Sequence, residues 1–285
     1  MKILFLAQHK WPHVGGVETH MRELTKNLER KGNSVTTISS EDIKYPKIKF
    51  LGLLYIWCWL WKHRNLINTN ELIHCHDVFI WYLPFRLMYP NKPVFTTFHG
   101  WEGVYPIPWK NILYKRLANK LSWGSIAVGK YIEKYYGIKA YKIIHGGANA
   151  TVIRSTVAKR KKDKGNLVFV GRLENDTGVL EFLKWLKTKQ KFKVDFVGDG
   201  SIRSECEKYG SVHGFVDPKP FLRKAEYCVP GGYLSFIEAS SYGCKIKVFP
   251  NNPLKNDYWN EIQKVSKFPT WEQIADEYIN LYNGI

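Results

Sequence analysis

A strand–helix alternation that occurs twice along the chain constrains its fold more than any other feature. The first half opens with a short apolar run, Lys2–Ala7, followed by a loop and by apolar residues at helical spacing up to Gly32. The second half begins again at Asn166 with the same order of strand, loop and helix. Strands that alternate with helices predict a parallel sheet with helices on both faces. The sequence therefore predicts an α/β protein with two doubly wound parallel-sheet domains.

The chain length of 285 residues suits two domains of ordinary size. A basic run at 158–164 indicates a solvated linker between them. We expect a first domain at residues 1–152, a second at 153–268 and a terminal helix at 269–285 that crosses back to the first domain. Ligands bind at the carboxyl ends of the strands in such sheets. Two domains facing each other would therefore enclose a binding cleft.

Five predicted elements of the first half and the C-terminus bear on function. We expect helices over Leu51–Asn65, Trp109–Leu121 and Thr270–Tyr282, and strands over Leu72–His76 and Val94–His99. The histidines of the Leu72–His76 strand alternate and so share one face. An ordinary strand end and a metal site are both compatible with that pattern, and the strand end is favoured.

Targeting and cysteine patterns favour a cytoplasmic protein. The chain before the first polar residues is too short for a signal peptide, and the longest apolar stretch, Phe50 to Trp61, is too short to span a bilayer as a helix. Five scattered cysteines, none in a C-x-x-C pair, fit neither a disulfide scaffold nor a zinc ribbon. We expect a reduced, cytoplasmic location, with peripheral association at the inner face of the membrane.

The net charge of +18 predicts an anionic partner. Residues 1–150 carry 21 Lys and Arg against 9 Asp and Glu, whereas residues 151–285 carry 22 against 16, so the excess lies mainly in the first half. Nucleic acid, an anionic membrane surface and a phosphorylated substrate are the candidate partners, and a solvated basic surface is the alternative.

Three strand–loop–helix junctions, and a turn that begins at Glu238, carry residues that suit a phosphorylated ligand. Gly15 and Gly16 precede a helix, where bare backbone can approach a diphosphate. Arg172 follows a strand and can donate to phosphate oxygens in a fork. Gly198-Asp-Gly200 follows a third strand, and Glu238 offers acceptors for ribose hydroxyls. Each is also common in ordinary loops, and their order along the chain is what favours function.

That order resembles the retaining GT-B glycosyltransferases of family 4 along nearly the whole chain. The motifs that carry the resemblance are Gly15-Gly-Val-Glu18, Glu71-Leu-Ile-His-Cys-His76, Thr97-Phe-His-Gly100, Gly146-Gly-Ala-Asn149, Phe169-Val-Gly-Arg-Leu173, Phe196-Val-Gly-Asp-Gly200, Gly214-Phe-Val216 and Ile237-Glu-Ala-Ser-Ser-Tyr-Gly243. The resemblance implies the GT-B fold, in which two Rossmann-like domains face a cleft. The first would bind the acceptor and the second a nucleotide sugar.

The resemblance also implies the roles of individual residues. His99, Arg172 and Glu238 would be catalytic: His99 contacts the transferred sugar, Arg172 neutralises the departing diphosphate, and Glu238 holds the ribose. The implied donor-binding residues are Gly15, Gly16, Gly171, Asp199, Gly200, Phe215, Gly231 and Gly232. Phe215 would lie beside the base, and Gly15 and Gly16 beside the diphosphate or the acceptor.

The implied activity is transfer of a hexose from a nucleotide sugar with retention of anomeric configuration. The chain contains neither a G-K-[ST] phosphate loop nor a D-x-D motif, so we expect no metal ion and no cofactor besides a UDP- or GDP-linked co-substrate. The acceptor is an unknown sugar or lipid-linked molecule, and nucleic acid is not expected as a partner. A non-catalytic relative that binds a sugar or a partner, and a basic nucleic-acid-binding protein, remain the alternatives.

Two positions depart from the family pattern. Thr177 stands where the family has a lysine beside the diphosphate, and Pro230 stands where it has the first of two glutamates. The amides of Gly231 and Gly232, or the ammonium of Lys245 or Lys247, are candidates to compensate. We therefore expect a slow or unusually selective transferase.

Two helices of the first half are candidates for a membrane surface. Trp109, Ile112, Leu113, Leu117 and Leu121 share one side of a helix that also carries Lys110, Lys115, Arg116 and Lys120. The segment Leu51–Trp61 adds three tryptophans at alternate positions. Aromatic and basic side chains of this kind bind an anionic interface, although Leu51–Trp61 fits equally well as a helix buried against the sheet.

Overall fold

Two compact units make up the chain in a computed structural model, which describes residues 1–13, 15–48, 51–100, 103–148, 162–189, 192–265 and 268–284. The first unit comprises Met1–Glu102, Pro106–His145 and Trp271–Ile285, and the second comprises Gly103–Tyr105 and Gly146–Thr270. The terminal segment thus belongs with the first unit. The domain boundary expected at residue 152 lies outside the described residues.

The first unit contains a six-stranded parallel sheet in the order β2-β1-β3-β4-β5-β6. Its strands are β1 (Lys2–Ala7), β2 (Ser34–Ile38), β3 (Leu72–His76), β4 (Val94–Phe98), β5 (Gly124–Ala127) and β6 (Lys142–Ile143). Leu4 in β1 is paired with Thr36 on one side and with Ile73 on the other. The central strands are buried along almost their whole length, as expected when helices cover both faces of a sheet.

Eight helices of the described residues accompany this sheet: α1 (Gly16–Arg30), α2 (Ser40–Ile43), α3 (Leu51–Lys62), α4 (Asn65–Thr69), α5 (Phe79–Met88), α6 (Trp109–Leu121), α7 (Lys130–Tyr136) and the terminal helix, α13 (Trp271–Asn283). Helix α1 buries Met21, Leu24 and Leu28 at helical spacing. The terminal helix packs against α1, and α3 and α6 each pack against α5.

The second unit contains a five-stranded parallel sheet in the order β11-β10-β7-β8-β9. Its strands are β7 (Asp163–Val170), β8 (Lys193–Val197), β9 (Ser211–Val212), β10 (Ala225–Pro230) and β11 (Lys245–Ile246). A 3₁₀ turn, Asn175–Thr177, precedes α8 (Val179–Lys187), and α9 (Arg203–Cys206), α10 (Lys219–Lys224), α11 (Tyr233–Ser241) and α12 (Pro253–Ile262) follow. Phe169, Phe182 and Phe196 are fully buried between this sheet and α8.

The prediction of two doubly wound α/β units is confirmed, and the differences concern the ends of elements. The helix expected over Leu51–Asn65 ends at Lys62, and a short second helix begins at Asn65. The expected linker at 158–164 is shorter on its C-terminal side, since β7 begins at Asp163. Helix α12 was not anticipated, although Asn252 and Pro253 form a typical helix start. Within the described residues, no helix has the length and apolar character needed to cross a membrane.

Candidate active site

The first junction of the first unit brings two glycines to the start of α1. Gly15 caps the helix with extended backbone, and a Cβ at this position would collide with the carboxylate of Glu18, which folds back over it. Gly16 differs, because a Cβ built there would meet no described atom within 4 Å. The overlap at Gly15 involves only the flexible end of the Glu18 side chain, and no described atom requires a glycine at position 16. Bare backbone at a helix start suits close approach of an anionic ligand.

His99 follows β4 and is half-buried at the carboxyl end of the sheet. A hydrogen bond of 2.9 Å joins its Nε2 to Nδ1 of His76, and its backbone N–H donates to Oδ2 of Asp77 at 3.1 Å. Burial and the neighbouring His74 and Lys115 lower the pKa of His99 to about 3. The imidazole is therefore neutral at physiological pH, so it can exchange hydrogen bonds with a sugar without carrying charge.

Asp77 and Lys115 hold the His99 loop in place, and neither was identified from sequence as a site residue. The Lys115 ammonium donates to Oδ1 of Asp77 at 3.0 Å and to the carbonyl of Gly100 at 2.6 Å. Lys115 is only 7% exposed, so its assignment to a basic surface of α6 is wrong. Asp77 has a positive φ of 60°, which is rare outside glycine. Its place directly after the His76 strand end was the available signal.

A chain of buried hydrogen bonds ties the terminal helix to this sheet. Tyr278 Oη lies 3.2 Å from Nε2 of His20 and 3.0 Å from Oγ1 of Thr97. Thr97 in turn lies 2.7 Å from Nε2 of His74, whose Nδ1 is 2.7 Å from the hydroxyl of Tyr282. Burial lowers the pKa of both histidines, that of His74 to about 3. The imidazoles thus serve as neutral links between β3, β4, α1 and α13.

His74 and His76 end β3, as the favoured interpretation of their alternation predicts. Burial lowers the pKa of His76, and its Nε2 has no hydrogen-bond partner among the described residues. No group of three or more His, Cys, Asp or Glu side chains suited to holding a metal ion occurs in the described part of the chain.

In the second unit, glycines allow three strand ends to meet backbone to backbone. A Cβ at Gly171 would lie 2.8 Å from Cα of Gly231, and one at Gly198 would collide with the carbonyl oxygen of Gly171. Gly171 and Gly198 also have positive φ values of 155° and 152°. A Cβ at Gly200 would press on the carbonyl of Leu173. These glycines form a compact edge where β7, β8 and β10 end.

Gly232 resembles Gly16 rather than the packed glycines. It caps α11 with extended backbone, and a Cβ at this position would meet no described atom within 4 Å. Its N–H lies 3.2 Å from the hydroxyl of Ser235, which donates back to the Gly232 carbonyl at 2.9 Å. The start of α11 is thus an ordered helix N-terminus beside the strand ends.

Arg172 supplies a cation at that edge. Its side chain is 51% exposed, and Nη2 donates to Oδ2 of Asp176 at 2.9 Å across one turn. The loop that contains Gly198-Asp-Gly200 is fixed to the loop that follows Arg172. The Ser201 amide and hydroxyl donate hydrogen bonds to the Glu174 carboxylate, and these bonds lower the pKa of Glu174. Asp199 accepts from Nη1 of Arg203 at 2.7 Å.

Glu238 lies half-buried on α11. Burial raises the pKa of its carboxyl group, the Lys219 ammonium opposes the rise, and the Asp217 carboxylate adds to it. These two residues, which influence the Glu238 carboxyl group electrostatically, follow Phe215 by two and four positions in the sequence. Phe215 itself is 54% exposed.

The residues at the two departures from the family pattern are engaged in packing. Thr177 is only 8% exposed and donates from Oγ1 to the carbonyl of Glu174 at 2.7 Å. Pro230 ends β10 opposite Val170. Of the lysines considered as replacements, Lys245 pairs with Glu226 at 2.9 Å. The ammonium of Lys247 lies 5.1 Å from the ring centre of Trp185 and 5.2 Å from that of Tyr227.

Comparisons with known proteins identify the fold. Residues 14–152, just under half of the chain, match the Glycosyltransferase Family 4 model. No curated protein matches the chain in sequence. A lipopolysaccharide outer core galactosyltransferase, WaaB, is similar over 100% of both chains at 14% identity, with a TM-score of 0.63. Anabaena HepE in complex with UDP and glucose is similar over 100% of this chain and 98% of its own, at 14% identity and a TM-score of 0.62.

The catalytic domain of Arabidopsis thaliana starch synthase IV, bound to ADP and acarbose, gives a similar result. It covers 99% of this chain and 98% of its own at 13% identity, with a TM-score of 0.65. At such identities the likeness concerns the fold, and it confirms the predicted architecture.

Proposed function

We propose that this chain, which has the GT-B fold and a Glycosyltransferase Family 4 domain at residues 14–152, transfers a hexose from a nucleotide sugar to an acceptor with retention and without a metal ion. One observation carries the proposal most strongly. Arg172 stands at the carboxyl edge of a parallel sheet, beside strand ends that Gly171 and Gly231 allow to meet closely. Doubly wound sheets bind ligands at that edge.

In this proposal the second unit binds the donor. The Arg172 guanidinium, which now donates to Asp176, would donate to the diphosphate as negative charge develops on it. The amides at the start of α11, next to Gly232, would add donors. Glu238 would accept hydrogen bonds from the ribose hydroxyls while Phe215 stacks on the base. UDP- or GDP-linked sugars are the donors we expect.

The first unit would contribute the acceptor site and His99. The neutral imidazole of His99, held by His76 and Asp77, can hydrogen-bond a sugar hydroxyl. The bond between the anomeric carbon and the diphosphate would break as the acceptor oxygen attacks from the same face. The acceptor proton would pass to the departing diphosphate, so retention needs no enzyme nucleophile.

A thermal-shift panel tests this proposal. A ligand that binds only the folded protein raises the melting temperature by mass action. We expect one of the UDP-, GDP-, ADP- or dTDP-sugars to raise it and the matching nucleoside alone to do so far less. Binding without turnover in the presence of candidate acceptors would favour the non-catalytic alternative. Tight, salt-sensitive binding of nucleic acid with no response to any nucleotide sugar would overturn the proposal.

We further propose that the first unit docks on an anionic membrane surface through α3. One side of α3 buries Gly52, Ile56 and Leu60. Its other side exposes Leu51, Leu54, Tyr55 and Trp61, each at least 45% accessible. The helix is therefore buried on one side, where it packs against α5, and apolar on the side that faces solvent. A partly buried helix and a docking helix are thus compatible interpretations of this segment.

Basic residues beside the apolar side of α3 suit anionic lipid headgroups. The guanidinium of Arg64 lies 5.2 Å from the ring centre of Trp61. The side chain of Lys62, the last residue of α3, is exposed. On α6, which packs against α5 as α3 does, Trp109 and Leu113 are exposed together with Lys110 and Lys120. Each basic residue near an anionic surface contributes about 1 kcal/mol. A lipid-linked acceptor would be consistent with such docking.

Vesicle sedimentation tests the docking surface. We expect more protein to sediment with vesicles containing phosphatidylserine than with phosphatidylcholine alone, and less as salt increases. A Leu54→Ser/Trp61→Ser variant should lose most of this binding, whereas Tyr141→Ser, which removes an exposed aromatic ring from another part of the unit, should not. Equal recovery with both vesicle types would contradict the proposal.

A further inference from the structure

The segment before α12 packs directly on the loop that follows Arg172. Asn251 Nδ2 donates to the carbonyl of Asn175 at 2.7 Å. Gly178, whose φ is 83°, has no space for a side chain because a Cβ there would collide with the carbonyl oxygen of Phe249. The two segments are thus held together by a hydrogen bond and by backbone contact, and α12 begins immediately beyond this junction.

The start of α12 fixes the backbone of Lys255. Asn252 caps the helix, and its Oδ1 accepts from the backbone N–H of Lys255 at 2.9 Å. Pro253 occupies the first helical position, where its fixed φ favours the helix. Lys255 therefore lies in the first turn of an ordered helix whose entrance is tied to the 175–178 loop.

The charges around the Lys255 ammonium belong to that same loop. Burial lowers the pKa of Lys255 to about 8, the Asp176 carboxylate opposes the change, and the Arg172 guanidinium adds to it. On its own helix, the ammonium lies 5.0 Å from the ring centre of Tyr258. Lys255 and Arg172 are thus two cations that influence each other electrostatically, with Asp176 near both.

We infer that Lys255 supplies the second cation of the diphosphate site, from a helix outside the loop where the family pattern has its lysine. This inference rests on the proposed function, since it requires a nucleoside diphosphate at Arg172. Thr177 is buried and donates to Glu174, so its side chain fills a packing position. Lys245 and Lys247 contact Glu226 and two aromatic rings instead. The electrostatic surroundings of Lys255, in contrast, include both Arg172 and Asp176.

A diphosphate would favour the charged form of Lys255, and this gives the site a measurable signature. In the free protein about half of the amine is neutral near pH 8. Bound phosphate oxygens would restore the ammonium, so binding at pH 8.5 should take up a proton and affinity should fall as pH rises above 8. Phosphate groups are fully ionised above about pH 7.5.

Calorimetric titration with UDP, GDP, ADP, dTDP and inorganic pyrophosphate, in buffers of different ionisation enthalpy, tests the inference. We expect Lys255→Met to weaken binding of the best ligand about 10- to 100-fold, which is the usual effect of losing a charged hydrogen bond, and to abolish proton uptake. Lys255→Arg should retain most of the affinity but lose its dependence on pH. Lys264→Met removes an exposed lysine just after the same helix and should behave as wild type.

The outcomes separate this inference from the proposed function. If Arg172→Ala weakens binding but Lys255→Met and Lys255→Arg match wild type in affinity and proton uptake, Lys255 is not part of the site although the function stands. If wild type binds none of the five probes, both proposals fail. Should Lys255→Met not fold, as judged by circular dichroism, the pH profile of Lys255→Arg decides: an unchanged profile overturns the inference.

Discussion

At the scale of single residues, glycines with different surroundings occur at the candidate site. Gly198 has a positive φ and no space for a Cβ, since the Gly171 carbonyl occupies that position. At Gly16 and Gly232, no atom of the described residues lies within 4 Å of the position where a Cβ would stand, and Gly232 is in ordinary extended conformation. Intramolecular packing therefore accounts for Gly198, whereas the proposed ligand contacts account for the other two.

This difference predicts opposite effects of Gly16→Ala and Gly198→Ala. Gly16→Ala should leave the free energy of unfolding unchanged or raise it by up to about 1 kcal/mol, because alanine is the better helix former. It should nevertheless weaken binding of the nucleotide sugar or the acceptor. Gly198→Ala should lower the unfolding free energy by several kcal/mol through strain and overlap. Chemical denaturation and calorimetric titration measure the two effects. Unimpaired ligand binding by Gly16→Ala would remove Gly16 from the site.

At the scale of elements, the terminal helix α13 illustrates how far sequence reasoning reaches. Its apolar spacing predicted a helix over Thr270–Tyr282, and the observed helix, Trp271–Asn283, differs by one residue at each end. The spacing could not reveal that Tyr278 and Tyr282 bond to histidines of other elements. Such partners lie more than 200 positions away in the sequence, and only the folded sheet brings them together.

Long-range partners also explain why some site residues were missed. The sequence places Lys115 among several basic residues of one helix, which predicts a surface cation. Its hydrogen-bond partners, the Asp77 carboxylate and the Gly100 carbonyl, lie close to it only in the folded chain. The helix carrying Lys255 begins with the cap residue Asn252 and Pro253, and this pair was an available sequence signal. In contrast, Arg172 and Glu238 were predicted as site residues from local motifs, which indicate chemistry without requiring knowledge of distant contacts.

The hydroxyl of Tyr278 should contribute measurably to stability. Tyr278→Phe would remove the shared partner of His20 and Thr97 within a fully buried network. Leaving such groups without a partner costs about 1–3 kcal/mol. The matched control is Tyr141→Phe, since Tyr141 is 63% exposed and should change stability by less than about 0.5 kcal/mol. Equal unfolding free energies for the two variants would contradict the assigned role of the network.

At the scale of the whole molecule, four histidines with lowered pKa values should make the first unit sensitive to mild acid. Burial lowers the pKa values of His20, His74, His76 and His99 in the folded protein, those of His74 and His99 to about 3, while the unfolded chain takes up protons near pH 6.5. The contribution of these histidines to folding stability is therefore complete above about pH 6.5 and is lost as pH falls below it. Each histidine contributes at most about 1.4 kcal/mol per pH unit.

Denaturant unfolding at pH 7.0 and 5.5 measures this effect. The unfolding free energy of the first unit should fall by up to about 5 kcal/mol per pH unit, and His74→Phe should reduce that slope by about a quarter. Carboxyl groups with lowered pKa values, such as Glu41 at about 2, affect stability only at lower pH. Unchanged stability between pH 7.0 and 5.5 would mean that the histidines titrate normally.

Release of a nucleoside diphosphate from a nucleotide sugar tests the central claim most directly. With the donor identified by the thermal-shift panel, the account predicts that the wild-type protein releases the diphosphate and that Arg172→Ala does so about 10²- to 10³-fold more slowly, which corresponds to about 2–4 kcal/mol of transition-state stabilisation. Arg30→Ala, which removes an exposed arginine at the end of α1, should keep the wild-type rate. An Arg172→Ala rate equal to that of wild type, or no release from any donor, would contradict the account.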